Sequence, residues 1–338
     1  MRVLITGATG FIGRHLAWRL TSLGDEITCL VRAGSDRSAL TDLGVSFVEG
    51  DVTRPDSFFK HVRDFDAVYH LAGCLSALDR QALFAVNEGG VRQVAAACAA
   101  SPRPPVLLVV SSLAAAGPAR RGRPRVEGDA PRPVSAYGHS KLAGERAARV
   151  FADRVPTTII RPPIVYGEGD AATFELFRLA RMGLHVTPTL RPASFSTIHV
   201  ADLAHVMVRL VESGERLPPP RQPGAPGQGV YFAADKETVT FGELGRRIGR
   251  AVDRPVRVVP LPSAVTWAVA GASELWARLR HTRPELSLDK AREATAGSWI
   301  CSGAKARDGL RIKLRTPMDE RLAQTARWYQ EQGWFGPG

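Results

Sequence analysis

The stretch Ser135-Ala136-Tyr137-Gly138-His139-Ser140-Lys141 sets a phenol and an ammonium four residues apart. In a helix those two positions share one face, one turn apart. A free tyrosine ionises at about 10, too high for efficient proton transfer near neutrality. A cation on the same face favours the phenolate and brings that value down. Ser112 ends the apolar run "PVLLVVSS", where a strand end would offer its hydroxyl to a substrate oxygen. Tyr137, Lys141 and Ser112 are therefore candidate catalytic residues, with Ser111 adjacent. The chemistry they suit is movement of a proton to or from an oxygen whose carbon gains or loses a hydride. The Tyr–Lys spacing taken alone is equally an ordinary helix surface. His139, two places after the tyrosine, is expected to point away from that face.

Hydride transfer needs a carrier, and the chain opens on a place to hold one. "TGATGFIG" (6–13) puts Gly7, Gly10 and Gly13 between the apolar run "RVLIT" and a helical pattern stopped by Gly24. Gly7 permits the tight turn, Gly10 lets backbone approach a ligand, and Gly13 lets the helix pack closely on the sheet. The helix N-terminus then faces a pyrophosphate. Gly7, Thr9, Gly10, Phe11, Ile12 and Gly13 are the candidate contacts. The second strand runs into "CLVRAGSDRS" (29–38), with Arg32 and Arg37 where an NAD site usually places a carboxylate; Asp36 lies farther along. Guanidinium groups suit a ribose 2′-phosphate, so NADP is favoured and NAD remains possible. The competing reading makes both arginines solvated loop charges. Asp51 can accept from the adenine amino group with Val52 against the ring, and Leu71, Ala72 and Gly73 bring backbone to the middle of the cofactor.

These residues need a scaffold, and the rest of the chain describes one. Apolar runs at 2–6, 26–32, 45–51, 66–73, 105–112 and 157–163 alternate with helical patterns, among them 80–100 and the one beginning near Tyr137. Near-continuous apolar strands separated by helices predict a parallel sheet covered on both faces, an α/β, Rossmann-like doubly wound fold. After Pro163 the pattern loosens: helix at 173–183, extended pieces at 184–198, an amphipathic helix at 199–212, a Pro-Gly loop at 217–229, a strand at 230–235 and a helix at 240–250. The division expected is a dinucleotide-binding domain over 1–163, rejoined by 199–235. A smaller interleaved substrate-binding region takes 164–198 and 236–338.

Composition narrows the class further. With 338 residues, 44% hydrophobic and 23% charged, the chain reads as an ordinary globular protein. The net charge of +12 comes mostly from dispersed arginine and carries no nucleic-acid motif, so no nucleic-acid partner is expected. Cys29, Cys74, Cys98 and Cys301 lack CxxC spacing and read as buried thiols in a reducing, cytoplasmic setting. Residues 1–20 already carry a strand and a glycine turn, which is not the pattern of a leader. No histidine has carboxylate or cysteine partners at metal spacing, so no metal is expected. "LPSAVTWAVAGASELWARL" (261–279) is the most apolar late helix; a packed helix or subunit contact is favoured over a membrane-surface patch.

Taken in order, "TGATGFIG", "GD" (50–51), "HLAG" (70–73), Asn87, "SS" (111–112), "YGHSK" (137–141), "RPPIVYG" (161–167) and "IHVADLA" (198–204) resemble the extended short-chain dehydrogenase/reductase family across nearly the whole chain. The resemblance implies that Tyr137 exchanges the proton, Lys141 holds the nicotinamide ribose and tunes the tyrosine, and Ser112 orients the carbonyl. It implies that Pro162 and Val165 lie near the nicotinamide. It also implies that Tyr166, Phe195 and the 75–84 segment face a substrate cleft, and that the protein is a homodimer. Asn87 is read either as holding backbone or an active-site water, or as a structural amide. The basic loop 118–133 is read as solvated or as steering a phosphorylated substrate. Sugar-nucleotide dehydratases carry Thr-Asp-Glu at this strand end, whereas this chain has Ser112, Leu113 and Ala114. "SSLAAAGP" is similar to the 3β-hydroxysteroid dehydrogenase branch and "LVRAGSDR" to the dihydroflavonol reductase branch. The expected function is NADP(H)-dependent interconversion of a secondary alcohol and a ketone on a fairly apolar small molecule. The alternatives are a nucleotide-sugar epimerase with tightly bound NAD and a non-catalytic, dinucleotide-binding regulatory protein.

Overall fold

The computed structural model describes residues 1–75, 79–120, 122–222, 224–280, 282, 286–314 and 316–336. Ser76, Ala77 and Leu78 of the 75–84 segment, Arg121 of the basic loop and Pro223 of the Pro-Gly loop lie outside them. In the first half the strands are β1 (Arg2–Thr6), β2 (Glu26–Val31), β3 (Ser46–Glu49), β4 (Ala67–His70), β5 (Val106–Val110) and β6 (Thr157–Arg161). After them come β7 (Ile164–Tyr166), β8 (Leu184–Thr187), β9 (Ser194–His199), β10 (Val230–Phe232), β11 (Thr238–Thr240) and β12 (Arg257–Pro260). Seven form an all-parallel sheet in the order β3-β2-β1-β4-β5-β6-β10. The order reverses at the β1–β4 seam, so a crevice opens at the carboxyl ends of those two strands, where such sheets receive ligands.

Helices cover both faces. In chain order they are α1 (Phe11–Ser22), α2 (Ser38–Thr41), α3 (Arg80–Phe84), α4 (Val91–Ala99), α5 (Leu113–Ala116), α6 (Ala136–Arg149) and α7 (Ala171–Arg181). Then follow α8 (Val200–Ser213), α9 (Phe241–Ala251), α10 (Ser263–Leu279), α11 (Leu288–Thr295), α12 (Ala304–Gly309) and α13 (Met318–Glu331). Alternate side chains of each strand point to opposite faces. Val3 and Ile5 pack with Leu16 and Leu20 of α1 and Leu203, Met207 and Leu210 of α8. Leu4 joins Val68, Leu107 and Ile159 against Val91 and Val94 of α4. Burial of both faces is why these strands read as unbroken apolar runs rather than as alternating ones. The expected helix over 80–100 is three pieces, because the π-helical turn Ala85–Gly90 separates α3 from α4.

Beyond Pro163 a small sheet in the order β11-β9-β7 and the pair β12–β8 sit with α7, α9 and α13 around Phe177, Leu244, Ile248, Leu322 and Tyr329. α8 and β10 return to the main sheet. So does a later segment: Ala306, Leu310 and Ile312, in and after α12, join the α1/α8 core.

A buried ion pair ties α6 to the sheet. Arg161 Nε and Nη2 donate to the two oxygens of Glu145 at 2.8 and 2.6 Å, and Ser111 Oγ donates to Glu145 Oε1 at 2.5 Å. The two side chains are only 3% and 1% exposed. The pair thus binds α6 to the ends of β5 and β6. Removing one partner strands the other charge in a medium that cannot solvate it. Glu145→Ala should therefore cost about 3–5 kcal/mol of stability, read as a lower urea midpoint; an unchanged midpoint would show that the pair is not buried in solution.

Candidate active site

The turn after β1 is built around backbone contact. Gly7 has φ of +76°, and a Cβ there would lie 2.7 Å from the Ala72 nitrogen. A Cβ on Gly13 would lie 2.2 Å from the Gly7 carbonyl oxygen, so the start of α1 can approach β1 this closely only with glycine. α1 begins at Gly10 with no side-chain cap and no acidic residue in its first turn. Its leading N–H groups and dipole are thus left for an anion, which fits a dinucleotide pyrophosphate. Thr9 and Gly10 are exposed, while Phe11 and Ile12 are half-buried. Ile12, Leu71 and Val165 lie together at the edge of the α1/α8 core. Opposite, the Ala72 amide donates to Thr6 Oγ1 at 3.2 Å, and Thr6 Oγ1 is 2.8 Å from His70 Nδ1. Burial, with Lys141 nearby, pulls the His70 pKa down to about 3, so the ring is neutral and the Thr6–His70 link holds "LAG" in place.

At the adenosine end the two expected arginines part company. Arg32 lines an open cleft with Ser35, Asp51 and Arg54. Arg37 instead pairs with Glu49 at 3.4 Å and stacks over the Phe47 ring. Arg54, which sequence reasoning passed over, takes its place in the cleft because residues 51–54 form a bridged turn. Asp51 Oδ1 accepts from Thr53 N and Oγ1, each at 2.8 Å. Burial pushes its carboxyl up, but those donors with Arg32 and Arg54 outweigh this and hold it below its ordinary value. The Val52 side chain is buried beside Gly90.

The reacting end brings the three catalytic candidates together. Ser112 caps α5, its Oγ accepting from the Ala114 amide at 3.1 Å, and its hydroxyl favours the ionised form of the neighbouring Tyr137 phenol. Lys141 is buried; its Nζ donates to the Val110 carbonyl at 2.6 Å and lies beside Gly73. Pro162, at the end of β6, accepts from the Leu113 amide at 2.8 Å. Ser111 turns to Glu145, away from this group. Asn87 sits in the π-helical turn. Its Oδ1 accepts from Cys74 N, and its Nδ2 donates to Cys74 O and Ser140 Oγ, at 2.8, 2.8 and 2.9 Å. The amide therefore fastens the segment after β4 to α6. His139 is exposed on the outer face.

One electrostatic expectation is reversed. Tyr137 is raised, not lowered: burial pushes the phenol up, Ser112 opposes, and Glu293 and Cys74 add to the rise. Lys141 is itself desolvated, which pulls it to about 8 against the opposing charge of Glu145. Its ammonium is held by a strand-end carbonyl and does not offset the burial of the phenol. Tyr137 is accordingly protonated at neutral pH.

What holds that phenol in position comes from the far end of the chain. The Ala136 and Tyr137 amides donate to Asp289 Oδ1 and Oδ2 at 2.7 and 3.0 Å, and the Gly138 amide donates to Ser135 Oγ at 2.9 Å. Ser135 Oγ in turn hydrogen bonds Glu293, one turn along α11. The acidic residues of "SLDKAREAT" had no place in the sequence reading. Their partners lie some 150 residues away, so no local spacing points to them.

Beyond Tyr137, Phe195 packs in one cluster with Tyr137, Phe241 and Trp299. Phe195 and Phe241 also line a cavity of about 190 Å³, with Pro188, Leu190, Ala193, Val258 and Pro260 and with Thr187, Arg191 and Arg246 among its polar groups. Tyr166, expected to face the cleft, is instead buried, its ring edge-on to His199. The alternation of the short strand β7 turns it into the α7/α9/α13 core. Arg125 anchors the basic loop by donating to the Ala116 and Ala130 carbonyls, leaving Arg123 to pair with Asp129 at the surface. No group of three or more metal-ligating side chains occurs among the described residues.

Asp289→Ala would leave two inward-facing amides on the first turn of α6 without partners. It should destabilise the protein by about 1–3 kcal/mol, seen as a lower unfolding midpoint. An unchanged midpoint would show that water replaces the carboxylate and that the cap is not required.

With this geometry in hand, comparison with known proteins assigns the chain. Residues 3–222 match the NAD dependent epimerase/dehydratase family. A ceramide reductase of Caulobacter vibrioides is 31% identical over 337 residues, covering 98% of this chain and 96% of that protein. A UDP-glucose 4-epimerase of Vibrio cholerae is 26% identical over 270 residues, covering 77% and 78%. The crystal structure of Thermus thermophilus UDP-glucose 4-epimerase complexed with NAD superposes with a TM-score of 0.75 at 21% identity, covering 98% and 99%. The chain belongs to the NAD dependent epimerase/dehydratase family, as an NAD(P)-dependent dehydrogenase/reductase of the extended short-chain type.

Proposed function

We propose that this chain is an NADP(H)-dependent ketoreductase acting on a lipid-like substrate, of the ceramide class named by its full-length relative. The observation that supports this reading is the mainly apolar cavity lined by Phe195 and Phe241, two aromatic residues that share a cluster with Tyr137. The Gly7–Gly13 turn would hold the pyrophosphate, Arg32 and Arg54 the 2′-phosphate, Asp51 the adenine, and Lys141 the nicotinamide ribose, beside Pro162 and Val165. When bound, the nicotinamide supplies hydride to the carbonyl carbon. Ser112 holds the carbonyl oxygen, and Tyr137 gives that oxygen its phenolic proton as the carbon is reduced. Lys141, while charged, stabilises the phenolate left behind, which takes a proton back from solvent. Burial that keeps Tyr137 protonated suits reduction better than oxidation.

A second reading has its own support. The Vibrio cholerae relative is a UDP-glucose 4-epimerase, and an epimerase would use Ser112, Tyr137 and Lys141 for oxidation and then reduction of one sugar carbon. Such an enzyme retains NAD and consumes none. Purified protein given NADPH and a long-chain ketone should oxidise the cofactor with formation of the alcohol. Copurified NAD together with turnover of a UDP-sugar would replace the ketoreductase with the epimerase. Tyr137→Phe should lower kcat by about 10²–10⁴ while NADPH affinity stays within a few-fold. Undiminished turnover would remove the phenol from the chemistry and favour a regulatory role for the dinucleotide.

The pH profile follows from Lys141. Its folded-state pKa is lowered to about 8, so the ammonium is present below that pH and lost above it. The kcat/KM for reduction should be flat on the acid side and fall as pH rises through about 8. Lys141→Arg, which keeps its charge, should be slower but lose that alkaline limb. A limb of unchanged position in Lys141→Arg would assign it to another group.

A further inference from the structure

α10 is apolar on the wrong side. Its inward positions are Thr266, Ala270 and Ala277, all small, while Val265, Val269, Leu275, Trp276 and Leu279 face solvent, Leu275 and Leu279 being 61% and 71% exposed. With exposed Ala272 filling the gap, Val265, Val269, Trp276 and Leu279 follow one another at spacings of four, three, four and three, and Leu275 flanks them, which makes a stripe along one face. A helix that buries its larger apolar face in its own domain does the opposite. The packed-helix reading of 261–279 therefore accounts only for the inner face, and the outer face lacks a cover within the described chain.

The charges at the end of the stripe say what the cover is. Glu274 is the only acidic residue of α10. Its carboxylate is occupied, accepting from Arg278 Nη2 at 2.7 Å and from the Leu288 amide at 3.1 Å. Arg278 and Arg280 are exposed, and Arg280 stacks on the Trp276 ring at 4.5 Å. Arg278 is balanced by Glu274, so Arg280 is the uncompensated charge of this end among the described residues, and a second copy laid on this face would bring a like charge and no open carboxylate of α10. An anionic bilayer surface matches both features: acyl chains receive the stripe, phosphates receive the guanidinium groups, and tryptophan sits at the boundary. The helix is not long and apolar enough to cross a membrane, so it would lie along the surface.

We propose that the outer face of α10 docks this protein on anionic membrane surfaces. The place in the fold supports this. The Leu261 amide donates to the Thr187 carbonyl at 2.9 Å, and Thr266 Oγ1 donates to the Pro188 carbonyl at 2.7 Å. The start of α10 therefore leans on the rim of the apolar cavity, beside exposed Leu190. A docked protein would present that rim to the bilayer. The docking stands without the ketoreductase reading, because vesicle binding is measured with no turnover.

The test is flotation of the intact protein with vesicles of equal parts phosphatidylglycerol and phosphatidylcholine, against phosphatidylcholine alone. Wild-type protein should float with the anionic vesicles and bind the neutral ones about tenfold less. Leu275→Glu with Leu279→Glu should reduce binding by at least about tenfold while leaving the unfolding midpoint and NADPH affinity unchanged. Wild-type protein that stays unbound with both vesicles overturns the proposal, as does equal binding by the double variant. A concentration-dependent dimer that the double variant dissociates, with no vesicle binding, would give the face to a second copy instead.

Discussion

The first turn of α6 carries the Tyr137 phenol and leaves backbone N–H groups that the helix itself cannot satisfy. Water would serve them on a surface helix, but here the turn is packed under α11. Asp289 takes the amides of Ala136 and Tyr137 with its two oxygens, and Ser135 takes that of Gly138. A carboxylate at a helix N-terminus also meets the positive end of the dipole. Capping and electrostatics thus act in the same direction, and they fix the first turn of α6, from which the Tyr137 side chain projects. The same contact docks α11, late in the chain, onto the start of α6. The site is complete only when both ends of the sequence have folded together.

That dependence runs through the rest of the site. The β1–β4 seam provides the crevice, and Gly7 and Gly13 let backbone close around it. Glu145 and Arg161 hold α6 against β6, and Asn87 holds the segment after β4 against α6. Ser112 and Lys141 are each tied to backbone, through the Ala114 amide and the Val110 carbonyl. Each reacting group therefore has little freedom left to lose when a ligand arrives. Burial has a second effect, raising the phenol and lowering the ammonium. The resting ionisation is an acid beside a cation that titrates near neutrality.

The parts of this account written in short-range pattern were legible in the sequence. The glycine turn, the apolar strands, the Tyr137–Lys141 pair and the serine at the end of β5 depend on spacing within a few residues. The structure has them as parallel strands, a helix start and one cluster. What was hidden depends on contacts between distant segments. Nothing near residues 288–295 announces that Asp289 caps a helix at 136. Arg54 went unread because only the turn at 51–54 places it in the cleft, and Arg37 was assigned there because nothing local shows that Phe47 and Glu49 take it. Tyr166 was assigned to the cleft by resemblance, and the pleat of β7 sends it into a core. The shift of Tyr137 was misjudged because spacing showed the lysine but not the burial, and burial is the larger effect.

The central claim is that Ser112, Tyr137 and Lys141 complete a net hydride transfer to a ketone. It is tested most directly with NADPH carrying deuterium at both C4 positions of the reduced nicotinamide, incubated with a long-chain ketone. Mass spectrometry of the alcohol and absorbance of the cofactor are read together. One deuterium in each alcohol and one NADPH oxidised for each alcohol formed are expected. Alcohol without deuterium would contradict the claim, and so would turnover of a UDP-sugar with no net loss of NADPH.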